Sequence, residues 1–132
     1  MPMRILITGG AGFIGSHLTD RLVADGHQIT ILDNLATGRK ENLSSHLGGN
    51  NVIFIEGSIL DLPLLDGLTK DTEYVFHLAA AVGVFNIVNH PLDSLMTNIR
   101  GTENVLESAH KYSKPVFVTS SSEVYGKNVS DS

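Results

Sequence analysis

The feature that most constrains the fold is a glycine-rich turn between an apolar strand and an amphipathic helix. The turn covers residues 8–15 (TGGAGFIG) and follows the apolar residues 3–7. Behind it, Ile14, Leu18 and Leu22 recur at i, i+4 and i+8, which predicts one face of a helix. Glycine lets the backbone turn tightly and approach a ligand, and a helix N-terminus offers unpaired N–H groups with a partial positive charge. This arrangement predicts a phosphate site.

The spacing inside the turn and beyond it makes the prediction more specific. Residues 10–15 match G-x-G-x-x-G, and Gly9 adds the wider G-x-x-G-x-x-G spacing. A second predicted strand, residues 28–32, ends in Asp33, eighteen residues after Gly15. An acidic residue about 20 residues beyond such a turn binds the hydroxyls of an adenosine ribose. The pattern favours a dinucleotide site over a purely structural turn.

Strand and helix patterns alternate along the chain. We predict strands at residues 3–7, 28–32, 52–56, 74–78 and 116–119, and helices at residues 16–24, 41–47, 63–69 and 91–112. Near-continuous apolar strands separated by helices indicate a parallel sheet that is covered on both faces. The predicted fold class is α/β: a Rossmann-type doubly wound parallel sheet with its first five strands in the order 3-2-1-4-5 and helices on both faces.

The longest predicted helix carries two further signals. The residues predicted to face the sheet recur at spacings of 3,4,3,4,3 and are Leu92, Leu95, Ile99, Thr102, Leu106 and Ala109. Gly101 costs helix stability relative to alanine, so its presence predicts a close backbone contact. Asn98 is a candidate for binding a loop or the cofactor, with an exposed polar position as the alternative.

Composition narrows the classes of function. The chain has 132 residues, which is enough for one domain. Its net charge is −5 and it has no run of like charges, so we predict no nucleic-acid and no membrane partner. It has no cysteine, which excludes thiolate catalysis and zinc–thiolate sites and fits a cytoplasmic location. The longest apolar run, residues 78–85, is far shorter than the roughly 20 residues that span a bilayer. We expect no export signal, and the six scattered histidines predict no metal site.

Ligands of doubly wound sheets lie across the carboxyl ends of the strands, where the strand order reverses. The predicted strand ends are residues 9–15, 33–34, 58–59, 78–81 and 119–122. The small residues at 79–81 would let a ribose or pyrophosphate approach the backbone. Close packing of a helix on the sheet would explain these small residues equally well.

Several segments, in this order, carry a resemblance to a known family. They are residues 8–18 (TGGAGFIGSHL), 33–35 (DNL), 77–80 (HLAA), 98–102 (NIRGT) and 120–126 (SSSEVYG). The chain resembles the N-terminal part of an extended short-chain dehydrogenase/reductase, in the NAD-dependent nucleotide-sugar epimerase/dehydratase group. The resemblance implies NAD as the cofactor and a UDP-, dTDP- or GDP-linked sugar as the substrate, with a homodimer as a possible assembly.

The resemblance also implies a set of cofactor-binding residues. They are Gly9, Gly12, Phe13, Ile14, Gly15, Asp33, Asn34, Gly38, Ser58, Ile59, Leu78, Ala79, Ala80, Asn98 and Thr119. Asp33 favours NAD over NADP, because its charge would repel a 2′-phosphate. Ser58 stands where the family usually has an aspartate that accepts a hydrogen bond from the adenine amine, so adenine would be held more weakly here.

The chemistry that the resemblance implies is a reversible oxidation of the sugar, usually at C4. The family uses a tyrosine base whose pKa is lowered by a lysine four residues later, and Ser121 would donate a hydrogen bond to the same sugar oxygen. Ser122 and Glu123 complete the candidate catalytic residues. None of the three tyrosines, Tyr74, Tyr112 and Tyr125, is followed by lysine at the fourth position. We therefore expect residues 1–132 to be an incomplete NAD-binding domain of a longer enzyme, inactive alone.

Three hypotheses remain open at this point. In the first, which we favour, the chain is the cofactor-binding part of an epimerase, decarboxylase or dehydratase. Epimerisation leads, because Ser122 replaces the acid of the dehydratases and residues 80–83 lack the proline of the decarboxylase loop. The second hypothesis is a stand-alone NAD-binding sensor or scaffold, and the third is another ligand, such as FAD or a methyl donor.

Overall fold

The structure, a computed structural model, describes residues 2–35, 39–78 and 91–119, without the side chains of residues 91, 93–95, 97 and 98. The strands are β1 (Arg4–Thr8), β2 (Gln28–Asp33), β3 (Val52–Glu56), β4 (Tyr74–His77) and β5 (Val116–Val118). The helices are α1 (Phe13–Ala24), α2 (Leu62–Lys70) and α3 (Pro91–Lys111), with a 3-10 helix at Lys40–Leu43.

All five strands pair in parallel, in the order β3-β2-β1-β4-β5. The predicted fold class and strand order are confirmed. Ile7 of β1 is level with Ile31 of β2 and with Phe76 of β4. The strand order reverses between β1 and β4, so the carboxyl ends of these two strands mark the switch point where such sheets bind ligands.

The central strands are apolar because both faces of the sheet are covered there, whereas Ile53 of β3 and Phe117 of β5 are exposed. Successive side chains of a strand point to opposite faces, and β1 divides its side chains accordingly. Ile5 and Ile7 pack into a core with α1, whereas Leu6 packs into a second core with α2 and α3. Full burial of each such side chain contributes about 1.5–3 kcal/mol to folding. The two cores fix β1 in the centre of the sheet.

Two residues mark the ends of helices. Gly26, two residues beyond the end of α1, has φ +91°, and its N–H donates to the carbonyl of Val23 at 3.0 Å. This left-handed position is one that glycine adopts without strain. At α2, Pro63 lies in the first turn, and the Asp61 side chain accepts the N–H of Leu64 at 3.3 Å.

The helix predicted at residues 41–47 is shorter and tighter than expected. The regular part is the 3-10 helix at Lys40–Leu43, followed by turns that end at Gly48 with φ +87°. Ser44 donates its N–H to the carbonyl of Glu41, three residues back. Serine side chains such as those of Ser44 and Ser45 can hydrogen-bond nearby backbone groups in non-helical conformations, so they favour turns over helix interiors. This explains why the segment does not lengthen into an α-helix.

The predicted buried face of α1 was only partly right. Leu18 and Leu22 pack against the core as expected, but Ile14 is 66% exposed. The residues that α1 buries fully are Gly15, Ser16 and Thr19. Small side chains let the first turns of α1 lie close to the sheet, and Ile14 is left on the exposed side of the helix.

The predicted face of α3 was wrong for its large side chains. Ile99 and Leu106 are 46% and 44% exposed, while Val105 and Ser108 are 1% exposed. Ala109 is buried as predicted, Thr102 is half-buried, and the side chain of Leu95 lies outside the described residues. The face toward the sheet begins at Gly101, which is buried because its backbone lies against Ile59. The close backbone contact predicted from Gly101 is confirmed.

Candidate functional site

The glycine turn joins β1 to α1 at the switch point. Gly9 has φ +81° and donates its N–H to the carbonyl of Leu32 at 2.8 Å. Its own carbonyl accepts the N–H of Gly12 at 3.2 Å, which closes the turn. Gly12 is the N-cap of α1 and offers no side-chain cap. The first amides of a helix have no partner inside it, so those of Phe13, Ile14 and Gly15 can receive an anion.

Two glycines of the turn are needed for different reasons. A Cβ on Gly12 would meet only the carbonyl oxygen of Gly9, at 3.5 Å, so the space beside Gly12 is open. A Cβ on Gly15 would lie 2.6 Å from the Cα of Gly10 and even closer to the carbonyl oxygen of Gly9. Gly15 therefore allows α1 to approach the turn, and Gly12 leaves room above it. An open cradle at a helix N-terminus fits a pyrophosphate.

Asp33, at the end of β2, is bonded through both carboxylate oxygens. One oxygen accepts the N–H of Ala11 at 3.0 Å, and the other accepts the N–H of Leu35 at 2.7 Å. The residue is 7% exposed. Each oxygen keeps a second lone pair, so the carboxylate can also accept ribose hydroxyls. Asp33 thus fixes the glycine turn to the end of β2 and lies beside it.

Asn42 is a residue of this turn that sequence reasoning missed. Its Nδ2 donates to the carbonyl of Ala11 at 2.8 Å, and the backbone N–H of Arg39 donates to the same oxygen at 3.0 Å. Ala11 is fully buried. No local pattern marks an amide that acts 31 residues away. Together with Asp33, Asn42 holds Ala11 at both its N–H and its carbonyl.

His77 is the last residue of β4, which pairs with β1 on the side opposite β2. Its Nδ1 lies 2.7 Å from the hydroxyl of Thr8, and its Nε2 lies 3.1 Å from the hydroxyl of Thr102 on α3. Burial lowers the pKa of His77 below its ordinary value, so the ring is neutral and links β1 to α3. Next to it, Leu78 donates its N–H to the carbonyl of Thr8 at 2.9 Å.

The segment after β3 turns toward α3. The hydroxyl oxygen of Ser58 accepts the N–H of Leu60 at 3.0 Å. Ile59 is 6% exposed, lies against Gly101, and accepts at its carbonyl a hydrogen bond of 2.9 Å from Nδ2 of Asn104. The hydroxyl of Ser58 still has a proton to donate and a further lone pair, whereas Ile59 offers mainly its backbone to a ligand.

The last strand end is that of β5, where Thr119 is exposed. Its N–H and its hydroxyl lie 3.3 Å and 3.4 Å from the carbonyl oxygen of His77. The structure therefore brings the described candidates of the glycine turn, Asp33, Leu78 and Thr119 to one edge of the sheet. The remaining candidates lie outside the described residues: Gly38, Ala79, Ala80, the side chain of Asn98, Ser121, Ser122 and Glu123.

The opposite edge of the sheet has a cavity of about 360 Å³. Arg4, Gln28 and Asn51 line it at the amino ends of the strands, away from the glycine turn. Among residues 2–35, 39–78 and 91–119, no cluster of His, Asp and Glu has the arrangement of a metal site. In the same part of the chain, no helix is both long and apolar enough to cross a membrane.

Comparison with known proteins gives a consistent result. The profile of the family described as "NAD dependent epimerase/dehydratase family" matches residues 5–132. The chain is 46% identical over 127 residues to a UDP-N-acetyl-alpha-D-glucosaminuronate decarboxylase of Bacillus cytotoxicus, covering 96% of this chain and 39% of that protein. It is 42% identical over 123 residues to UDP-glucuronic acid decarboxylase 1 of Danio rerio, covering 93% of this chain and 28% of that protein.

A solved structure agrees in fold. The UDP-glucose 4-epimerase of Thermotoga maritima, crystallised with UDP-glucose, superimposes with a TM-score of 0.85 at 40% identity. The match covers 96% of this chain and 41% of that protein. The chain therefore spans well under half the length of the relatives it matches.

Proposed function

Because the chain belongs to the NAD dependent epimerase/dehydratase family, we propose that it forms the NAD-binding part of a longer enzyme that modifies a UDP-linked sugar. NAD is the cofactor of the family, and the observation that carries the proposal is the open glycine turn. It lies at the switch point and is fixed to Asp33 through Ala11. The relatives named above all act on UDP-linked sugars, which favours UDP over dTDP or GDP.

The described residues have separate roles toward NAD in this proposal. The amides at the start of α1 bind the pyrophosphate, and Gly12 leaves the space that it needs. Asp33 accepts hydrogen bonds from the adenosine ribose, and Asn34 lies next to it. Ser58 and the backbone of Ile59 flank the adenine, Leu78 lines the path of the ribose and pyrophosphate, and Thr119 is a further cofactor-binding residue. The other candidate residues named from the resemblance keep their predicted roles.

The proposed reaction is a transient oxidation of the sugar hydroxyl. NAD supplies the hydride acceptor when bound, and Ser121 donates a hydrogen bond to the sugar oxygen as its charge develops. We favour 4-epimerisation, because Ser122 is a poor general acid for dehydration and because the superimposed Thermotoga maritima protein is an epimerase. Decarboxylation is the second candidate, which the relative at 46% identity favours. Inactivity of residues 1–132 alone, and a cytoplasmic location, stay predictions.

The test combines binding with product analysis. Calorimetric titration of the chain with NAD should show one binding site. The chain by itself should not convert UDP-glucose to product. The complete protein should convert UDP-glucose to its C4 epimer, observed by proton NMR, without release of CO₂ from UDP-glucuronate. A chain that does not bind NAD would overturn the proposal. A complete protein that binds NAD but modifies no UDP-sugar would support the sensor hypothesis instead.

A homodimer is the assembly that we propose for the complete protein. Its support is the exposed apolar face of α3, where Leu92, Met96, Ile99 and Leu106 are 69%, 38%, 46% and 44% exposed. These residues follow one another at spacings of 4, 3 and 7, which places them along one side of the helix. Exposed apolar patches of this kind mark interaction surfaces. Sedimentation equilibrium of the wild type and of Ile99→Lys should show a dimer and a monomer, respectively.

A further inference from the structure

We infer that Asn104 of α3 is a positioning residue for the adenine end of the cofactor, acting through the carbonyl of Ile59. The inference rests on the proposed function, because it concerns the segment after β3 that we place beside the adenine. Asn104 is half-buried, and its Nδ2 donates to the Ile59 carbonyl at 2.9 Å, across 45 residues of sequence.

The contact is part of a fixed arrangement. Ile59 is 6% exposed, and its side chain fills the space that a Cβ on Gly101 would occupy, one helical turn before Asn104. Gly101 therefore receives the side chain of Ile59, and Asn104 binds its carbonyl. These two contacts determine where the backbone of residues 58–60 lies relative to α3.

The preceding residue has little freedom of its own. The Ser58 hydroxyl oxygen accepts the N–H of Leu60, and the Ser58 carbonyl accepts the N–H of Asp61 at 3.0 Å. These bonds shape the turn internally but do not attach it to α3. The bond from Asn104 does attach it to α3, so loss of that bond should let the turn move relative to the adenine.

A second contact between α3 and the same region provides a matched control. Ser108 lies one turn beyond Asn104, is 1% exposed, and donates its hydroxyl to Asp66 on α2. Both contacts join α3 to the segment that follows β3. Only the bond from Asn104 reaches the turn at residues 58–60.

The experiment compares Asn104→Asp, Asn104→Ala and Ser108→Ala with the wild-type chain. The aspartate has the shape of asparagine but presents only acceptors to the Ile59 carbonyl, and the alanine is the milder variant if the aspartate does not fold. Calorimetry measures the affinity for NAD, for AMP, which has only the adenosine end, and for nicotinamide mononucleotide, which lacks it. Thermal unfolding measures stability in parallel.

We expect Asn104→Asp to weaken NAD and AMP binding together, by about tenfold, a loss typical of one misplaced hydrogen-bonding group. Nicotinamide mononucleotide should bind as it does to the wild type, and Asn104→Ala should show a smaller loss of the same pattern. Ser108→Ala should lower the melting temperature without changing any of the three affinities. Unchanged NAD affinity in folded Asn104 variants, or an equal loss for the mononucleotide, would overturn the inference. A wild type that binds neither NAD nor AMP would instead overturn the proposed function.

Discussion

Gly12 and Gly15 lie three residues apart in the same turn, yet a side chain should have opposite consequences at the two positions. At Gly12, φ is −76° and ψ is 177°, a conformation that branched residues adopt readily. Gly12→Val should therefore fold but lose NAD binding, because its methyl groups occupy the space of the pyrophosphate. Circular dichroism establishes the fold, and calorimetric titration measures the binding.

Two glycine substitutions control this prediction. Gly67→Ala on α2 meets no atom within 4 Å and should raise the free energy of unfolding by roughly 0.5–1 kcal/mol, with NAD affinity unchanged. Gly15→Ala should unfold the domain, because its Cβ overlaps the backbone of Gly10. If folded Gly12→Val binds NAD as tightly as the wild type, Gly12 does not belong to the site.

Asp33 has a structural and a proposed binding role, which one substitution can separate. Asp33→Ser should narrow the preference for NAD over NADP, because it removes both the repulsion of the 2′-phosphate and the paired ribose bonds. It should also cost roughly 1.5–3 kcal/mol of folding stability, since the carboxylate accepts the N–H groups of Ala11 and Leu35. The ratio of the dissociation constants for NAD and NADP measures the change in preference, and a urea titration measures the loss of folding stability. Equal NAD and NADP affinities in the wild type would contradict the ribose role.

His77 predicts a pH dependence of stability. Burial lowers its pKa in the folded chain below the ordinary value of 6.5. Between the two pKa values the unfolded chain binds more protons, so the free energy of unfolding should fall as the pH drops below about 6.5. His77→Gln should be less stable at neutral pH, but its stability should fall less steeply over this range. Urea titrations at about pH 7.5 and about pH 5.5 give both slopes, and parallel slopes would contradict the assignment.

At the scale of single elements, the apolar spacing of α3 correctly predicted a helix but did not predict which of its side chains are buried. The spacing of large apolar residues predicted that Leu106 would face the sheet, whereas the structure buries Val105 and exposes 44% of Leu106. Helix patterns count apolar side chains, but the closest approach of a helix requires small ones. Gly101 and Ser108 set the orientation of α3, because Ile59 and Asp66 occupy the space beside them.

A pair of neighbouring substitutions tests this orientation. Val105→Ala should lower the free energy of unfolding by roughly 2 kcal/mol, because Val105 is 1% exposed in the core that contains Leu6 and Val75. Leu106→Ala should change it by no more than about 0.5 kcal/mol. Urea denaturation is measured at a protein concentration low enough to keep the chain monomeric. A larger loss at Leu106 than at Val105 would mean that α3 has the orientation predicted from its apolar spacing.

At the scale of the whole molecule, the strands could be predicted because they are near-continuous apolar runs separated by helices. The strand order could be predicted because that alternation indicates a doubly wound parallel sheet. The glycine turn and Asp33 could also be located, because their spacing follows from the ligand that they would hold. Asn42 and Asn104 could not, since their partners Ala11 and Ile59 lie 31 and 45 residues away. Such bonds depend on the packing of helices on the sheet, which no local pattern encodes.

The final prediction concerns the reaction of the complete protein and uses Glu123, which lies outside the described residues. In the dehydratases that the chain resembles, a glutamate at this position removes a proton from the sugar. An epimerase that only turns its ketone intermediate over needs no such base. With epimerisation as the reaction, Glu123→Gln should therefore retain NAD binding and turn over UDP-glucose within about tenfold of the wild type, whereas loss of a general acid or base costs roughly 10²–10⁴-fold.

The control is Ser121→Ala, which should slow turnover strongly, because it removes the hydrogen bond that we propose Ser121 donates to the reacting sugar oxygen. Turnover is followed by proton NMR, with UDP-glucose and UDP-glucuronate as separate substrates. A loss of 10²-fold or more in Glu123→Gln, together with CO₂ release from UDP-glucuronate by the wild type, would identify decarboxylation. That outcome would agree with the relative from Bacillus cytotoxicus, which shares 46% of its residues with the chain over the matched region. Near-normal epimerisation by the variant would instead exclude Glu123 from proton transfer in the reaction.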